Sequence, residues 1–200
     1  LVRIIRLVTL VMGWLVIYIS IASSPDLEAI FSYYTIQSNI IVLIWLTFAL
    51  LFQERYPRSW LFKPIIQGAI TVYITVTFLV FAILLSPFYQ PTGIAAFTNI
   101  VSHYLVPIFI MLDWIFTGAC RPHRRRYALF WLGYPIFYLL YTLIRGITAG
   151  TGYPYFFLDL DNLGVPLFLI WCCILAAVFT SLGLLFVKIS DSVRKRLIKR

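Results

Sequence analysis

The 22 residues from Pro64 to Leu85, PIIQGAITVYITVTFLVFAILL, contain no charged side chain. A helix needs about 20 predominantly apolar residues to cross the hydrocarbon core of a bilayer, so this stretch reads as a membrane-spanning helix. Moving outward in both directions, comparable stretches recur near 4–22, 33–53, 99–117, 127–146 and 164–187. Of the 200 residues, 62% are hydrophobic and 12% charged, whereas a soluble domain carries about 25% charged residues. Six spans use up almost the whole chain, which excludes a large extramembrane domain and any nucleotide-binding α/β fold. The expectation is an all-α membrane protein: six transmembrane helices in one bundle, forming a single integral membrane domain over 1–200. Arg3 and Arg6 ahead of an apolar run, with Ala22-Ser23-Ser24 behind it, also fit a secretory signal, but we read this stretch as the first span.

The net charge of +9 is explained by where the basic residues fall. The segments 23–32, 86–98 and 147–163 contain no Lys or Arg, whereas 54–63 and 118–126 carry Arg55, Arg58, Lys63, Arg121, Arg124, Arg125 and Arg126. With Arg3, Arg6 and the tail from Lys188 to Arg200, every basic residue except Arg145 lies on one side. The positive-inside rule assigns that side, and both termini, to the cytoplasm. The charge is then a matter of topology and contact with anionic lipid, at about 1 kcal/mol per basic residue near the surface, and nucleic acid is not an expected partner.

Cys120, Cys172 and Cys173 offer no plausible disulfide; the alternative role is palmitoylation of juxtamembrane Cys120. Pro107, Pro135 and Pro166 fall inside spans, where each is expected to kink its helix. No HExxH, GxSxG, glycine-rich phosphate loop, CxxC pair or carboxylate cluster occurs, so neither a metal nor a cofactor is expected. His123, among arginines, reads as a solvated loop residue.

Polar groups are costly inside a bilayer, so the few within the spans are the candidates for function. Span two opens Tyr33-Tyr34-Thr35-Ile36-Gln37-Ser38-Asn39, with Thr35 and Asn39 four apart on one helical face. These groups can cap the first turn and bond a neighbouring helix, or they can present a nucleophile. Span four opens Asn99-Ile100-Val101-Ser102-His103, which puts His103 about one turn below the outer boundary, near the depth of Thr35. A threonine hydroxyl needs an adjacent base to attack, and histidine is the usual one near neutral pH. Asp113, beside Trp114, is too far along the helix to orient His103 and is expected to pair with one of Arg121 to Arg126. In span five, Tyr134, Tyr138, Tyr141 and Arg145 share a stripe. Arg145 at its outer end is expected to pair with Asp159 or Asp161, or to hold a ligand's carboxylate or phosphate.

Taken together, Tyr34-Thr35-Ile36-Gln37-Ser38-Asn39, His103 with Pro107, Asp113-Trp114, Arg145-Gly146 and Tyr153-Pro154-Tyr155 with Asp159 resemble the androgen-induced protein and androgen-dependent TFPI-regulating protein superfamily, specifically its small bacterial six-span branch. The resemblance covers nearly the whole chain. It implies an intramembrane hydrolase of lipid esters, such as fatty acid esters of hydroxy fatty acids, with Thr35 as nucleophile and His103 as base. By the same resemblance the protein is a multi-pass resident of a bacterial plasma membrane, with membrane lipids and a lipid-ester substrate as its partners. Asn39 is then expected to donate to the developing oxyanion, with Tyr138, Arg145 and Asp159 supporting the substrate. The competing class is a non-enzymatic lipid-binding or transport protein; against transport stands the absence of an internal repeat and of paired midplane charges.

Overall fold

A computed structural model describes residues 1–149 and 152–199. Gly150 and Thr151 of the expected outer loop, and Arg200 of the basic tail, lie outside the described residues. Six helices are long and apolar enough to cross a membrane: Val2–Ala22, Tyr34–Phe52, Pro64–Leu85, Gly93–Thr117, Tyr127–Thr148 and Leu160–Ile198. We label the helical segments α1 (Val2–Ala22), α2 (Leu27–Ser32), α3 (Tyr34–Phe52), α4 (Pro64–Val80), α5 (Gly93–Ile100), α6 (Val106–Thr117), α7 (Tyr127–Phe130), α8 (Gly133–Ala149) and α9 (Leu160–Ile198).

α4 is the centre of the bundle. Val72 and Ile74 are fully enclosed, as expected for a helix that is apolar all round and packed on every side. One core joins it to α1, α3 and α6 through Val16, Val42, Leu46, Ile70 and Ile110. A second joins it to α9 and the 119–131 region through Val72, Trp114, Trp131 and Phe186. Exposed Leu7, Val11, Ile83, Ile144 and Leu169 give the outside an apolar surface suited to acyl chains.

The helices depart from the expected spans where backbone chemistry intervenes. The fourth begins at Gly93, whose φ of 61° suits glycine, rather than near 99. His103 therefore sits about 15 Å along its helix instead of one turn in. It reaches the level of Thr35 because α2 and the extended Tyr33 lie above α3. Pro107 cannot donate to the His103 carbonyl four residues back, and the helix widens into a π turn over Val101–Leu105. A second π turn, Phe81–Leu85, ends α4 and is closed by Ser86 N–H donating to the Phe81 carbonyl at 2.8 Å. Pro135 and Pro166 do not kink their helices as expected. Pro135 lies in the first turn of α8, because the fifth span breaks between α7 and Gly133. The bend in the sixth span is at Gly164 (φ 66°), two residues before Pro166, so that proline again falls where its missing N–H costs nothing.

Candidate active site

Thr35 is the second residue of α3, and its Oγ1 lies 3.1 Å from Nε2 of His103. The ring's other nitrogen, Nδ1, lies 3.1 Å from the Asn99 carbonyl, which can only accept. Nδ1 therefore carries the proton, and Nε2 offers its lone pair to the Thr35 hydroxyl. A carbonyl within its own helix, rather than a carboxylate, orients the base. Phe81 stacks on the imidazole with ring centroids 3.8 Å apart and planes 23° apart. Thus the two π turns face one another, one presenting the base and the other a flat apolar surface that holds it.

Asn39 does not have the role expected of it. Its side-chain amide donates to the Thr35 carbonyl at 2.8 Å and to the Ser102 carbonyl at 3.2 Å, so both hydrogens are committed. It ties the start of α3 to the π turn that carries His103, which makes it a positioning residue and not an oxyanion donor. One turn from Thr35, the Ser38 and Thr77 hydroxyls meet at 2.8 Å and fix α3 against α4.

Thr35 also lines an apolar cavity of about 110 Å³ that continues into an open mouth. Its walls come from α4 (Val76, Val80), α8 (Pro135, Leu139), α9 (Leu175, Phe179) and the turn bearing Phe157 and Leu158, and are almost wholly apolar. Tyr138 lines it while donating to the Ser32 carbonyl at 2.9 Å. Exposed Ile136 and Ala176, from α8 and α9, lie at its mouth, which opens sideways between two bilayer-length helices. His103 stands behind Thr35, outside this lining.

Sequence reasoning assigned no role to Tyr155 or Phe81. Tyr155 Oη lies 3.4 Å from the Thr35 backbone nitrogen and accepts its N–H. The only sign in the sequence is an aromatic-rich loop ahead of α9, which does not reveal that the loop folds back onto α3.

Four charged or titratable groups have surroundings other than those expected. Asp113 pairs with Arg6 and not with the 121–126 arginines. Arg6 Nε donates to Oδ1 at 2.6 Å and Nη2 to Oδ2 at 3.2 Å, with Arg6 6% and Asp113 2% exposed. The fork geometry of the guanidinium matches the carboxylate, while Arg121 donates instead to the Phe62 carbonyl at 2.5 Å. Arg145 Nε lies 3.5 Å from Glu28 Oε1 of α2, not beside Asp159 or Asp161, and Nη1 donates to the Gly152 carbonyl at 3.1 Å. Asp159 is occupied as the N-cap of α9, accepting from Asn162 N–H at 3.0 Å. His123 is buried, not solvated: Nδ1 lies 2.9 Å from the Arg121 carbonyl and 3.1 Å from Ser190 Oγ, and burial pushes its pKa down. Among the described residues, no group of His, Cys, Asp and Glu could hold a metal ion.

No protein-family model, curated protein or solved structure matches the chain.

Proposed function

We propose that the protein is an intramembrane hydrolase of lipid esters, with Thr35 as nucleophile and His103 as general base. The observation that carries this reading is the 3.1 Å contact between a threonine hydroxyl and an imidazole whose other nitrogen faces a backbone carbonyl, at the wall of an apolar cavity. The resemblance to six-span threonine hydrolases points the same way.

In the proposed reaction Thr35 Oγ1 attacks the ester carbonyl carbon as its proton passes to His103 Nε2. The carbonyl electron pair moves onto oxygen, giving a tetrahedral oxyanion. Collapse breaks the bond to the alcohol oxygen, which takes the proton from His103 and leaves an acyl-Thr35. Water then attacks this ester, giving a proton to His103. Expulsion of Thr35 Oγ1, which recovers that proton, releases the fatty acid. A cavity open between α8 and α9 lets the acyl chain enter directly from the bilayer, where such substrates dissolve. On this reading the arginine-rich face and both termini are cytoplasmic, the site lies toward the outer leaflet of a bacterial plasma membrane, and membrane lipids are the source of substrate.

The test is turnover of a fatty acid ester of a hydroxy fatty acid by the purified protein in nanodiscs. Release of free acid by the wild type, and its loss in both Thr35→Ala and His103→Ala with melting temperatures unchanged, is the expected result. Activity that survives either substitution removes that residue from the mechanism. A wild type inert toward every lipid ester favours a lipid-binding or transport role.

A further inference from the structure

A nucleophile and a base do not complete an acyl-transfer site; the carbonyl oxygen, once attacked, needs a hydrogen-bond donor aimed at it. Asn39 has no hydrogen left to give, and Tyr138 spends its proton on the Ser32 carbonyl. Tyr155 is differently placed. Its hydroxyl oxygen accepts the Thr35 N–H at 3.4 Å, so that bond uses one of its lone pairs and not its proton. Tyr155 and Thr35 both line the cavity, and the phenol oxygen stands 3.4 Å from the backbone nitrogen of the nucleophile's own residue. Its remaining neighbour is the Thr35 side chain, and among the described residues no other acceptor takes the Tyr155 proton.

We propose that Tyr155 is a catalytic residue whose hydroxyl donates to the oxyanion formed when Thr35 attacks an ester carbonyl. The assignment rests on the hydrolase reading and adds its missing electrophilic half. Attack on the carbonyl by Thr35 Oγ1 leaves the former carbonyl oxygen negatively charged, and the Tyr155 O–H shortens its hydrogen bond to that oxygen without transferring its proton. When the alcohol leaves, the carbonyl reforms and the bond weakens again. Because Thr35 N–H donates into the same phenolic oxygen, the hydroxyl is polarised toward giving its own hydrogen.

The ring is held for this task. Tyr155 stacks on Phe157 with centroids 5.1 Å apart and planes 5° apart, and meets Tyr33 edge-on at 5.8 Å. A single turn of 3₁₀ helix, Phe156–Leu158, follows it, with Leu158 N–H donating to the Tyr155 carbonyl at 3.0 Å. Burial pushes the phenol up to about 12, so it keeps its proton at any working pH. A neutral donor suits a site in a bilayer, where a fixed positive charge in the same place would be costly.

The experiment uses the full-length protein in nanodiscs with two probes: a hydroxy fatty acid ester, and a long-chain trifluoromethyl ketone that Thr35 captures as a tetrahedral alkoxide. Tyr155→Phe is expected to lower kcat by about 10²–10³-fold and to weaken inhibition by the ketone by a similar factor, leaving KM and melting temperature unchanged. Tyr18→Phe, at an exposed tyrosine of α1 outside the cavity, is expected to leave kcat and ketone affinity unaltered; loss of ketone affinity in Tyr34→Phe, whose buried hydroxyl has no partner, with affinity kept in Tyr155→Phe, overturns the assignment. Because Tyr155 also caps α3, the phenylalanine variant can fail to fold. Fluorotyrosines at position 155 keep the ring and the oxygen, and ketone affinity should then track phenol acidity. If Tyr155→Phe inhibits normally, or fluorination leaves ketone affinity flat, the role is overturned while the Thr35–His103 mechanism stands. A wild type that neither hydrolyses esters nor captures the ketone overturns both.

Discussion

Two of the polar clusters inside the bundle have opposite chemistry. Toward the arginine-rich face, Arg6 and Asp113 carry full charges and are committed to their partners. Both oxygens of the carboxylate are engaged by the guanidinium, Gln53 accepts from Arg6 Nη1 at 2.5 Å, and Gln67 bridges Asp113 to Thr117. At the other cluster, Thr35 and His103 share one hydrogen bond without an ionic partner, and Thr35 borders an apolar cavity. A buried charge survives only when its lone pairs and protons are spent, which leaves it nothing with which to react. A neutral pair costs little to bury and keeps a nucleophile and a lone pair available. Burial and polarity alone would rank the ionic cluster first as a site; what distinguishes the two is unspent hydrogen-bonding capacity beside open volume.

Substitutions should separate the clusters cleanly. Thr35→Ala is expected to lower ester turnover by about 10⁴-fold or more while the thermal melt in detergent stays where it was; parallel loss of both would merge the two clusters into one structural role. Asp113→Ala should do the reverse, leaving Arg6 as an uncompensated buried charge at a cost of about 3–5 kcal/mol, read by denaturation of the solubilised protein. Between these lies Asn39→Ala. It frees the tie between α3 and the π turn, so kcat should fall by about 10²-fold, the price of a misplacement near 1 Å, while pre-steady-state substrate binding is retained. The smallest effect concerns His123, whose folded pKa lies below its unfolded value near 6.5. Its contribution to stability is present above that unfolded value and is lost as the pH falls toward the folded one. The melting temperature should therefore drop on going from pH 7.5 to 5.5, and His123→Gln should flatten that dependence; an identical pH profile in the variant would remove His123 as its origin.

Much of the fold was legible because membrane insertion is governed by run length and composition, and both are local properties of the sequence. The proximity of Thr35 and His103 follows from the sequence only in part: the expected depth match relied on a fourth span starting near 99, whereas it starts at Gly93 and His103 meets Thr35 because α3 itself begins only after α2 and Tyr33. Partners of charged residues were not legible. Asp113 lies eight residues from Arg121 but bonds Arg6, 107 positions away, because only the packing of α1 on α6 decides which guanidinium can align both its N–H groups. Asp159 was lost to a local competitor, the open N-terminus of α9, which any sequence ending a loop in Asp before a helix can satisfy. Tyr155 lies in the Tyr153-Pro154-Tyr155 motif, yet its contact with Thr35 depends on the fold of the loop ahead of α9, which no periodicity encodes.

The separation of Arg6 from Asp113 along the chain also sets the timing of biosynthesis. At about 5–20 residues per second, Asp113 leaves the ribosome roughly 5–20 s after Arg6. Throughout that interval the first helix holds a cation near the membrane surface with no carboxylate to receive it, its long side chain reaching to the headgroups. Closure of the ion pair must await the fourth helix. It therefore marks the moment at which a string of inserted helices becomes an assembled bundle, and a quality-control protease that recognises unpaired intramembrane charge would have those seconds in which to act.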